Sequence, residues 1–158
     1  MLFGGSMQRT KKNHGFTLIE LMVTIVVVAI IATMAAPSFG DMLLKQNLNK
    51  STRDLVGILT DAKTKAVLER REITLTLKDV KQNSKLENTE STFYWQPSGK
   101  AILKTGSTTS VIFRSNGLVK ASTDTTFTIC NQVGGNSSKI IVISKMGAIQ
   151  MVSESSCT

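Results

Sequence analysis

The stretch "KKNHGFTLIELMVTIVVVAIIATMAAPSF", Lys11 to Phe39, decides how the rest of the chain is read. From Phe16 to Ala36 it is a run of about 20 mostly apolar residues, which as a helix rises roughly 30 Å, the thickness of a hydrocarbon core. Glu20 is the only charged residue in it, near its front edge. A carboxylate inside a bilayer costs roughly 2.5–3.5 kcal/mol on insertion scales, so it needs a partner. Arg9, Lys11 and Lys12 precede the run. The positive-inside tendency then puts that end in the cytoplasm and the rest of the chain across the membrane.

Three readings of the run compete. A cleaved secretory signal would use the small residues of "ATMAAPSF". The run is longer than a usual signal core, it contains an acid, and a cut after Ala36 would leave Pro37 at the new terminus. A plain single-pass anchor explains the length but not Glu20. A cut between Gly15 and Phe16 explains both: the new α-amine of Phe16 lies one helical turn from Glu20 and can balance it, on the same chain or on a neighbouring copy.

With these residues in view, "GFTLIELMVTIVVVAIIATMAAPSF" resembles the class III signal of type IV pilins and type II secretion pseudopilins. The resemblance implies cleavage after Gly15 by a prepilin peptidase and N-methylation of Phe16. It also implies pairing of Glu20 with the amine of an adjacent subunit during filament assembly. Met7 is an alternative start to Met1, because "MLFGGS" adds nothing such a signal needs.

The remaining chain is long enough for one modest core. Leu48, Thr52, Leu55, Leu59, Ala62 and Ala66 recur at steps of three and four, one face of a helix. A single helix from about Phe16 to about Arg70, bent near Pro37, is expected. The period then changes to two at Ile73, Leu75 and Leu77. "KQNSKLENTES" reads as a loop. "TFYWQ", "AILK", "TSVIF", "TTFTIC", "KIIVIS" and "AIQMVS" read as short strands, and Asn116-Gly117 as a hairpin turn between "VIF" and "LVK". Phe93 and Trp95 share one strand face, and packing is the favoured use of that cluster over base stacking. A helix followed by strands means α+β, with the long helix packed on a mostly antiparallel β-sheet. The expected organisation is a leader at 1–15, a transmembrane assembly helix at 16–37 and a periplasmic globular domain at 38–158.

The composition excludes much. The single histidine, His14, precedes the folded part, so neither a zinc set nor a Ser-His-Asp or Cys-His arrangement can be assembled, and neither enzyme nor cofactor is expected. The net charge of +8 is spread without a block of like charges and reads as a solvated basic surface. Cys130 and Cys157, the only cysteines, read as one disulfide in an exported chain, with two buried thiols as the alternative.

The segments "LVGILTDAKTKAVLERREITLTL", "VIFRSNGLV", "TFTIC" and "KIIVISKMGAIQ", in that order, resemble the GspH/FimT group of minor pseudopilins and minor pilins. The terminal cysteine pair is more like the minor pilins. The resemblance implies a minor pilin that helps to initiate a type IV pilus and sits near its tip. Its implied partners are other pilins or pseudopilins, the prepilin peptidase/methyltransferase and the inner membrane. The alternative is a minor pseudopilin of type II secretion. A second alternative is a DNA-binding subunit in natural transformation. Some members of the group bind DNA through a Gly-Arg-x-Arg element, but the matching positions here are Gly147, Ala148, Ile149 and Gln150, with both arginines missing. A diffuse basic patch of Arg114, Lys120, Lys139 and Lys145 is the remaining candidate for phosphate contacts.

Overall fold

The computed structural model describes residues 15–79 and 87–157, except the side chains of residues 35–38 and 151–154. The chain divides into two compact units, Met1–Phe39 and Gly40–Thr158. Helix α1, Leu18–Leu68, begins in the first unit and ends in the second. The expected bend near Pro37 falls on residues whose side chains lie outside the described ones.

Thr17 caps α1: its Oγ1 accepts the Glu20 N–H at 3.2 Å. Thr17 and Glu20 have the spacing of a capping box, which satisfies backbone donors that the first turn leaves open. Farther along, the hydroxyls of Thr24 and Thr33 donate to the carbonyls of Leu21 and Ile30, each at 2.8 Å. Such internal bonds let threonine sit in an apolar helix without an unsatisfied hydroxyl.

In the second unit the predicted stripe is the buried face of α1. Leu48, Thr52, Leu55, Leu59, Ala62 and Ala66 are all fully or almost fully buried. Thr52 joins the core because its hydroxyl donates to Leu48 O at 2.7 Å. Among the described residues seven strands follow: β1 (Ile73–Leu77), β2 (Thr92–Trp95), β3 (Ile102–Leu103), β4 (Ser110–Phe113), β5 (Thr125–Cys130), β6 (Ser138–Ile143) and β7 (Ile149–Ser155). They form two sheets rather than one, in the orders β2-β1-β4 and β3-β5-β6-β7. Leu75 and Phe113 of the first sheet and Phe127, Ile129, Ile141 and Ile143 of the second join the helix stripe in one apolar core.

Five of the predicted strands lie in antiparallel pairs only, in keeping with an α+β fold of mostly antiparallel strands. The exception is β2, which runs parallel to β1 with Leu75 opposite Phe93 and Leu77 opposite Trp95. Parallel neighbours need a connection of about a dozen residues or more, and residues 78–91 supply it. Part of the predicted loop there lies outside the described residues. The Asn116-Gly117 turn is present, with Gly117 at φ 78°. Its second arm is reduced to a single bridge, Phe113 to Val119. The Val119 N–H turns away from the hairpin to Lys145 O at 3.0 Å.

The C-terminus of α1 is closed by Arg70, the sole non-glycine residue at positive φ among the described residues (52°), and Arg71 N–H bonds Ala66 O at 3.2 Å. This is a Schellman-type end, where glycine usually stands. Arg70→Gly is expected to raise stability by about 0.5–1 kcal/mol, the left-handed strain relieved less the added freedom of the unfolded chain. An upward shift of the urea midpoint checks this; a downward shift would assign the Arg70 side chain a contact worth more than its strain.

Candidate functional site

The first unit presents the candidate assembly segment. Gly15 has open space around it. Phe16 is 83% exposed, and Leu18, Ile19, Leu21, Ile25, Val28 and Ile31 are more than half exposed. Side chains of this kind on every side of a helix have no place in water, so lipid or other apolar helices must cover them. No single helix among the described residues is long and apolar enough to cross a membrane; Leu18–Met34 and Phe39–Leu68 pass that test together, by length and composition.

Within this surface Glu20 is the one carboxylate, exposed and without an ion pair among the described residues. Its place in the capping spacing is carried by Thr-Leu-Ile-Glu, a signal that the sequence reading did not use. The acid at that position therefore has two available uses, closing the first turn and meeting a cation from outside.

The two cysteines are joined. Cys130 at the end of β5 and Cys157 form a disulfide with Cα atoms 5.8 Å apart. The bond ties the chain's end to β5, the strand two places away from β7 in the sheet. Ser138, buried between them, donates its hydroxyl to Ser155 O at 2.9 Å.

The four basic residues of the candidate patch do not converge. Arg114 and Lys145 are exposed in two turns that approach one another, where the Lys63 ammonium donates to Gly147 O at 2.8 Å. Glycine is required at 147, since its φ is 73° and a Cβ there would collide with the carbonyl of Gly117. Lys120 is engaged with Glu72 at 3.0 Å. Lys139 lies at the far end of β6, opposite Glu154. Among the described residues no group of three or more His, Cys, Asp or Glu side chains could hold a metal ion.

Trp95 is buried, and Phe93 packs against the core with the Lys65 ammonium 5.3 Å from its ring centre. Beside them lies a groove between α1 and β2, lined in part by Arg53, Asp54, Asp61 and Tyr94. Sequence reading did not assemble it. The sole signal was Gly57, a helix-weakening residue in the middle of an otherwise regular helical pattern.

Comparison with known proteins accords with this geometry. Residues 10–36 match the prokaryotic N-terminal methylation motif, and residues 51–147 match type II transport protein GspH. A fimbrial protein of Pseudomonas aeruginosa is 33% identical over 63 residues, which span 40% of this chain and 40% of that protein. The crystal structure of the type IV minor pilin FimU of Pseudomonas aeruginosa has the same fold, with a TM-score of 0.51 at 21% identity. That match covers 72% of this chain and 97% of the FimU chain.

Proposed function

The chain belongs to the type II transport protein GspH family, and from that premise we propose that it is a minor pilin that helps to prime a type IV pilus and is built in near its tip. The observation that carries this reading is the order of parts: an N-terminal methylation motif directly ahead of a GspH domain with the fold of a minor pilin. The partial identity with a fimbrial protein supports the pilus over other filaments.

The chain acts by association, not by catalysis. The leader, 1–15, is removed after Gly15, and Phe16 becomes the methylated N-terminus. The helix of 16–37 lies in the inner membrane until assembly, with the domain of 38–158 in the periplasm. On assembly its apolar surface leaves lipid for the helices of other pilins. Because hydrocarbon and leucine are equally apolar, packing and polar pairing must supply the specificity of that exchange. Glu20 and the Phe16 amine of a neighbouring subunit supply the polar pair. A buried pair of this kind works as a register device more than as a source of stability.

A second reading is a minor pseudopilin of type II secretion, and the description of the matched family favours it. The physics of assembly is unchanged. Mass spectrometry of the mature chain from native membranes is expected to find an N-terminus at methylated Phe16. A chain still carrying its leader, or trimmed among the alanines before Pro37, would overturn both readings. Recovery of the chain from sheared surface filaments separates the pilus from the secretion system, in which it would remain with the cell envelope.

A further inference from the structure

The edge of a sheet presents backbone donors and acceptors, and among the described residues this fold closes the outer edges of β2, β3 and β4. On β2 the outward N–H groups of Thr92 and Tyr94 donate to Thr89 Oγ1 at 3.0 Å and to Asn88 Oδ1 at 2.9 Å. On β4 Ile112 O accepts the Lys120 N–H, and the Arg114 N–H donates to Leu118 O, both at 2.8 Å. On β3 the Leu103 N–H donates to Asp79 O at 2.9 Å. The remaining edge is the outer side of β7, and no strand among the described residues pairs with it.

β7 also lacks most of the features that protect an open edge. Edge strands are normally short, yet β7 has 7 residues and is the longest strand among the described residues. Residues 149–155 include no lysine, arginine or proline. Their single charge, Glu154, stands opposite Lys139 of β6, next to the irregularity in that pair. Both ends of the strand are held. At the turn from β6 the Ser144 N–H donates to Ala148 O at 2.9 Å, and the Cys130–Cys157 disulfide holds the other end. The Ser144–Ala148 bond sets the alternation along the strand. Gln150 therefore bonds toward Val142 of β6, and the N–H and C=O groups of Ile149 and Met151 point outward. A pre-positioned row of this kind has one complement, another extended backbone.

We propose that β7 accepts a further strand, an extended segment of about five or six residues donated by the terminal tail of a different protein. Ile149 packs against the core and Gln150 is exposed, so the incoming strand carries apolar side chains on the first face and polar ones on the second. A second copy of this chain is the wrong occupant. Antiparallel β7–β7 pairing follows a two-fold axis normal to the sheet, which points the two copies of α1 in opposite directions. Chains anchored in one membrane leave it in the same direction; this step alone rests on the membrane-anchored reading above. The β2, β3 and β4 edges of a copy are already closed, which favours a tail over a sheet edge as the donor.

Amide exchange of the full chain, read residue by residue by mass spectrometry, tests this in two preparations. One is the chain alone in phosphatidylcholine nanodiscs; the other is the chain recovered with its partners from native envelopes. The amides of Ile149 and Met151 are expected to exchange at least about tenfold more slowly in the second, while Gln150 is protected in both. Met151→Pro removes an outward donor and no bond to β6, a substitution that edge strands accept. It is expected to keep the Trp95 emission and the disulfide of the native chain and to lose the added protection at Ile149. Equal exchange of Ile149 and Met151 in the two preparations overturns the proposal. So does added protection that survives Met151→Pro, or protection already complete in the chain alone, which would mean that the chain or a second copy covers the edge. If Met151→Pro does not fold, the comparison of the two native preparations decides. The mature N-terminus in the same envelopes judges the membrane-anchored reading separately.

Discussion

Glu20→Ala is expected to insert in the membrane and lose its leader as the native chain does, yet to enter filaments at least about 100-fold less. The size follows from what the substitution leaves behind. In the proposed assembly the methylated amine of one subunit meets the carboxylate of another away from water. Removing one member of a buried pair strands the other, at a cost of about 3–5 kcal/mol. The helix itself would lose less. Glu20 occupies the third position of the capping spacing begun by Thr17, whose hydroxyl accepts the Glu20 N–H at 3.2 Å. That bond uses the backbone N–H, which alanine keeps, so the helix loses only the favourable place of an acid in its first turn, about 0.3–1 kcal/mol. Glu20→Gln separates the two uses, because glutamine serves a capping box as glutamate does but carries no charge. If charge pairing drives incorporation, Gln is as defective as Ala. Quantitative immunoblotting of sheared filaments against membrane-held chain measures both. A Gln variant that assembles within twofold of the native chain would reduce the acid to a helix cap and remove the register device from the proposal.

Much of this organisation is readable from local pattern, and where it is not the cause is distance along the chain. Leu48 to Ala66 is readable because a buried helix face repeats every three or four residues, whatever it packs against. The strands are readable because Ile73, Leu75 and Leu77 alternate with polar residues, whatever their neighbours. Which strands become neighbours is another matter. That β2 lies parallel to β1, and that β3 joins β5 in a second sheet, depends on contacts between residues far apart. No local period encodes those choices. The same limit explains the sites. Glu20 stands out because an acid in an apolar run is anomalous by itself. Arg53, Asp54 and Asp61 line one groove with Tyr94 and Trp95, and the fold alone brings these together. Conversely, Lys139 looked equivalent to Lys145 in sequence, but the length of β6 separates them.

Replacing Cys130 and Cys157 together by serine is expected to cost the folded second unit about 3–4 kcal/mol, the chain-entropy value for a bridge across their sequence separation of 27. The loss should not be uniform. β7 is an edge strand, paired through its length to β6 alone, with an irregularity between Lys139 and Ile140. What holds its far end is the disulfide to β5 and the Ser138 hydroxyl on Ser155 O. Without the bridge, β7 can peel from β6 while α1, β5 and the apolar core remain intact, since an edge strand is hydrogen-bonded on one side only. Amide exchange should therefore accelerate in β7 far more than in the Leu55–Ala66 turns of α1, and urea unfolding followed by Trp95 should shift to a lower midpoint. Reduction of the native chain gives the same comparison without a substitution. In the periplasmic location proposed for this domain, a frayed edge strand is a target for proteases and for edge-to-edge association, so the variant should also accumulate less. Midpoints within about 1 kcal/mol of the native protein, with β7 exchange unchanged, would mean that the sheet hydrogen bonds alone retain the strand.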